Sequence, residues 1–99
     1  MDLGATLPKW VKKLEEHRYR SPWDWDATLK WLDRTYAKWE YPRIRIVNKP
    51  GIKAFHLKNR KKKADWDGIN VYQLESGEVR FFVVEREKEA KTAPKKSGK

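Results

Sequence analysis

The chain has 99 residues, 38% of them charged and 13% aromatic, with six Trp, no Cys and a net charge of +10. That length supports one hydrophobic core, and the absence of cysteine excludes disulfides, thiolate metal sites and cysteine nucleophiles. No apolar run approaches the roughly 18–20 residues of a membrane span, and Met1-Asp2-Leu3-Gly4 has neither the charged start nor the apolar stretch of a signal peptide; the expectation is an intracellular, cytoplasmic protein that is not secreted.

Two helices are expected first. Thr6 stands as an N-cap before Pro8, and Leu7, Trp10, Val11 and Leu14 recur at i, i+3, i+4 and i+7, the spacing of an amphipathic helix ending near His17 to Arg20. Ser21-Pro22 repeats the start signal, and a second helix is expected from Pro22 to about Glu40. Trp25, Leu29, Leu32, Tyr36 and Trp39 fall on one stripe of that helix, as a core-facing surface requires. Trp23 and Trp31 lie roughly opposite, beside Lys30, Arg34 and Lys38.

After Pro42 the period becomes alternating. Arg43-Ile44-Arg45-Ile46 reads as a strand with arginines on one face, Asn48-Lys49-Pro50-Gly51 as a turn, and Gly51 to Lys58 as a second strand with an irregularity. Lys58-Asn59-Arg60-Lys61-Lys62-Lys63 has nothing apolar to bury and reads as a loop. Ile69 to Glu75 and Glu78 to Arg86 flank Ser76-Gly77 as a hairpin, whose two-residue loop would pair Leu74 with Val79 and Tyr72 with Phe81. The expected fold is α+β: two N-terminal helices packed on an antiparallel sheet of about four strands, in the order ααββββ, over residues 1–87, followed by a flexible charged tail, 88–99.

The charge is unevenly distributed. Residues 1–40 hold eight Lys or Arg against seven Asp or Glu, whereas Tyr41 to Lys63 holds nine basic residues and no acidic one. Such a segment repels itself unless a polyanion or ordered counterions sit against it. The leading expectation is a non-enzymatic binder of nucleic acid or another polyanion, with Arg43, Arg45, Lys53, Lys58, Arg60, Lys61, Lys62 and Lys63 contacting phosphates. The competing explanation for such lysines is protection of strand edges.

Two alternatives belong to other classes. Trp23 and Trp31, with Arg34 and Lys38, can stack on unpaired bases or form the seam of a homodimer, an interaction module. Asp65 and Asp67, in one of two Asp-Trp-Asp triplets, are the carboxylates a small metal-dependent nuclease would use, although Asp65-Trp66-Asp67-Gly68 is also ordinary turn chemistry. His17 and His56 belong to no catalytic spacing, and no Gly-rich phosphate loop occurs. No catalytic residue, metal site or cofactor is assigned.

With three Asn, one Gln, no internal Met and abundant Lys, Arg and Glu, the composition follows the pattern reported for proteins from very hot environments. In this respect the chain resembles the small orphan proteins of filamentous and rod-shaped viruses of hyperthermophilic archaea. The likeness is compositional and transfers no functional residue. It implies a thermostable viral protein whose partner is a DNA genome or a host component.

Overall fold

The structure, a computed structural model that describes residues 1–87, contains strands β1 (Lys12–Glu15) and β2 (Arg18–Arg20), helix α1 (Trp25–Thr35), and strands β3 (Arg43–Lys49), β4 (Ile52–Lys58), β5 (Trp66–Gln73) and β6 (Val79–Glu85). The strands form one antiparallel sheet in the order β1-β2-β6-β5-β4-β3. This corrects the expected ααββββ arrangement: there are six strands and one short helix. The expected tail, 88–99, lies outside the described residues.

The first expected helix is instead a hairpin. Its apolar spacing does not mark a buried stripe, because Trp10 is 69% exposed and Leu14 38% exposed. An isolated helix of that length is marginal in water, whereas β2 pairs along the outer edge of β6 and buries Tyr19 against the core. The turn places His17 at φ +66°, a left-handed conformation seldom adopted by non-glycine residues. Asp2 ties it down: its carboxylate accepts from His17 Nδ1 at 2.8 Å and from the Tyr19 hydroxyl at 2.9 Å.

That contact makes a pH prediction. The hydrogen bond to Asp2 raises the His17 pKa above 6.5, against a smaller opposing effect of burial. A raised folded-state pKa contributes stability that is fully present below the unfolded value and is lost as pH rises through the folded one. Thermal midpoints are therefore expected to fall as pH is raised above 6.5, and Asp2→Asn should flatten that dependence. An unchanged pH profile in the variant would refute the assignment.

Helix α1 is shorter than its apolar pattern because its caps lie inside the expected limits. The Asp24 side chain accepts from Ala27 N at 2.9 Å, which makes Asp24 the N-cap. The Ser21 hydroxyl instead bonds Thr28 at 2.7 Å and accepts from Trp23 N. At the other end Tyr36 leaves helical geometry at φ −126°, ψ 93°, and its hydroxyl donates to the Thr6 carbonyl at 2.6 Å. Trp39 therefore falls beyond the helix and is 78% exposed.

The β5–β6 hairpin is one residue out of the expected register. Leu74 N bonds Glu78 O across a three-residue turn, Glu75-Ser76-Gly77, with Gly77 at φ +95°. Val71 thus opposes Phe81, Ile69 opposes Val83 and Tyr72 opposes Arg80. A slip of one residue exchanges the two faces of a strand. It gathers Val71, Ile69, Phe81, Val83 and Val79 beneath Leu32 and Tyr36 in the core and leaves Tyr72, Phe82, Asn70 and Arg80 on the opposite face.

Candidate nucleic-acid interface

The residues of the acid-free segment are divided among three environments. Arg43 and Arg45 project from β3 toward the helix side of the sheet, on the face that continues through Leu57 and Phe55. Arg43 is only 16% exposed. Its guanidinium donates to the carbonyls of Tyr41, Leu32 and Tyr36 and pairs with Asp33 at 3.2 Å. Tyr36 is the C-cap of α1 and Tyr41 lies in the connection to β3, while Leu32 O also accepts from Tyr36 N; a cation at this helix end is favoured by the helix dipole. Burial lowers the Arg43 pKa, and Asp33 opposes that effect. Arg43 is a structural residue.

Arg45 and Lys53 occupy the second environment. They line an open groove of about 280 Å³ between the start of α1 and the β3–β4 hairpin, together with Trp25, Phe55, Asn48 and Arg43. No carboxylate lines it. Lys53 Nζ lies 5.8 Å from the Trp25 ring centre, and Trp25 packs edge-on against Phe55 with ring centres 5.8 Å apart. Arg45 and Lys53 form no ion pair among the described residues, so their charge is available to a ligand. Asn48 and Lys53 sit opposite one another beside the Pro50-Gly51 turn, where Gly51 has φ +79°. The irregularity expected in the second strand lies in β3, between Arg45 and Val47; on this edge strand Ile44, opposite His56, and Ile46, in the bulge, are 53% and 55% exposed.

The third environment is the loop after β4. Buried Asn59 anchors it, donating to Trp66 O at 2.9 Å and accepting from Lys61 N. Lys61 pairs with Glu40 at 2.9 Å, a contact that raises its pKa, and Arg60 donates to Trp39 O. Lys62 and Lys63 are exposed. Lys58 pairs with Asp67 at 3.0 Å. Five residues of extended strand, about 17 Å, separate Lys53 from Lys58, so the continuous basic run does not form one patch.

Trp23 and Trp31 are half-buried and pack on one another with ring centres 6.4 Å apart, and Trp31 also meets Tyr36 edge-on. Arg34 and Lys38 are exposed, Lys38 lying 4.0 Å from Asp33. Asp65 is exposed, and Asp67 is held between Lys58 and Arg86; no group of three or more metal-ligating side chains occurs among the described residues. No helix among the described residues is long and apolar enough to cross a membrane.

Neither Trp25 nor Phe55 is among the binding residues expected from the sequence: Trp25 fits the core stripe of the helix, and Phe55 lies in a strand whose apolar residues do not alternate cleanly. The signal available was Trp25 at the very start of the helix, where a side chain reaches the rim of the sheet. The chain matches no family model, no curated protein and no solved structure.

Proposed function

We propose that the protein is a non-enzymatic binder of nucleic acid that engages the phosphate backbone through the groove beside the β3–β4 hairpin. The observation that carries this reading is the pairing of Arg45 and Lys53 beside Trp25 in a groove lined by no acidic residue. Lys49 lies on the same hairpin, and Lys62 and Lys63 form a separate exposed basic group on the loop after β4. Backbone contacts of this kind release condensed counterions, so affinity falls steeply with salt.

With about five phosphates neutralised, log K against log[salt] should have a slope near −4 to −5 on duplex DNA. Arg45→Gln should make the slope shallower by about 1 without changing the far-ultraviolet circular dichroism. A flat salt dependence, or no binding at low salt, would overturn the proposal.

A further inference from the structure

Among the described residues no element covers the sheet face turned away from α1, and two cross-strand rows meet on it. The register runs Lys12, Arg20, Arg80, Tyr72 in one row and Arg18, Phe82, Asn70, His56 in the next. Contacts between these side chains agree with the register. Arg18 lies over the Phe82 ring at 5.1 Å and donates to the Tyr72 hydroxyl at 2.7 Å. His56 Nδ1 bonds Asn70 Oδ1 at 2.7 Å, and since that oxygen only accepts, the imidazole nitrogen is the donor.

Gly68 sets the pose of the His56 ring. A Cβ at this glycine would lie 2.4 Å from His56 Cε1 and Nε2, so the imidazole occupies the space that any other residue would fill. His56 on β4 and Phe82 on β6 are two strand spacings apart, about 10 Å. Tyr72 stands between them in the neighbouring row. Tyr72, His56 and Phe82, the last carrying the Arg18 guanidinium over its ring, match unpaired bases, which stack on aromatic rings and on guanidinium planes alike. A duplex keeps those base faces hidden.

We infer that this open sheet face, through Phe82, Tyr72 and His56 with Arg18 and Arg80, stacks two or three unpaired bases, and that single-stranded nucleic acid is the protein's preferred ligand. Charge complementarity selects this occupant. Four cations, Lys12, Arg18, Arg20 and Arg80, share the two rows with two carboxylates, Glu15 paired with Arg18 and Glu78 paired with both Arg20 and Arg80, so the face keeps an excess of positive charge. A second copy of the chain would bring like charges face to face. The inference rests on the proposed nucleic-acid reading and adds to it the ligand class and a second surface.

The test uses the full chain with a fluorescein-labelled oligo-dT and a duplex of the same length, about 15 nucleotides. Wild type should bind the single strand more tightly. Tyr72→Leu combined with Phe82→Leu should weaken the single strand by about tenfold per lost stack and leave duplex affinity unchanged. Unaltered single-strand affinity in the folded double variant, with Arg45→Gln still weakening both probes, overturns the stacking face and leaves the groove reading intact. No binding of either probe at low salt overturns both. Sedimentation showing a dimer that the double variant abolishes assigns the face to a second copy and overturns the inference. Should the double variant not fold, amide shifts of wild type titrated with oligo-dT decide: changes at Asn70 and Phe82 support the face, and changes confined to the β3–β4 hairpin overturn it.

Discussion

Replacing Arg43 by alanine is expected to destabilise the fold by about 2–4 kcal/mol, whereas Arg45→Ala should change stability by less than about 0.5 kcal/mol and weaken polyanion binding instead. The two arginines are two residues apart on one strand face and looked equivalent in sequence. Arg43 is largely buried and donates to Tyr36 O at the end of α1, to Tyr41 O in the following connection, and to Leu32 O, which also accepts from Tyr36 N. Removing it leaves the Tyr36 and Tyr41 carbonyls without that donor in a site that water reaches poorly, and an orphaned buried polar group is costly. Arg43→Lys should recover only part of the loss, because one ammonium group cannot reproduce the planar fork of donors. Urea unfolding of the three variants supplies the measurement. Equal stabilities for Arg43→Ala and Arg45→Ala would refute the division of roles.

Gly68→Ala is expected to cost about 2–4 kcal/mol, the range of a close steric conflict in a packed region. The added Cβ would stand 2.4 Å from the His56 ring and 2.6 Å from the Leu57 carbonyl oxygen. Side-chain motion can relieve the first conflict but not the second, which is with the backbone of the neighbouring strand. Combining Gly68→Ala with His56→Ala should therefore restore only part of the lost stability. Full restoration would show that β4 and β5 can separate at this point, and a neutral single variant would remove the close approach altogether. The same measurement bears on the open face, since His56 keeps its pose only while residue 68 lacks a side chain.

The β half of the fold was largely legible. Arg43 to Lys58 carries the pattern of two strands around Pro50-Gly51, the Lys-rich stretch that of a loop, and Ser76-Gly77 that of a hairpin turn, because alternation and turn residues act locally. The register of that last hairpin was not, since a two-residue and a three-residue turn both accommodate Ser76-Gly77. The burial of Phe81 with Val71, rather than with Tyr72, distinguishes them. The N-terminal hairpin is hidden in the sequence for a different reason: Leu7, Trp10, Val11 and Leu14 have helical spacing, but the edge of β6 and the Asp2 contacts to His17 and Tyr19 decide the outcome from more distant parts of the chain.

Of the candidate interface, the sequence located the excess charge and its lack of acidic neighbours between Tyr41 and Lys63. Composition and local spacing determine that much, along with the capacity for one core, the positions of the turns and the absence of any thiol chemistry. Tertiary structure alone decided which cations remain available. It turned Arg43 inward to the helix end, paired Lys58 and Lys61 with Asp67 and Glu40, and left Arg45 and Lys53 beside Trp25. It also placed Arg18, His56, Tyr72 and Phe82, distant in sequence, on a single face. Local pattern specifies what a segment can form, while the availability of a charge depends on its partners across the fold, and those are set by strand order and register.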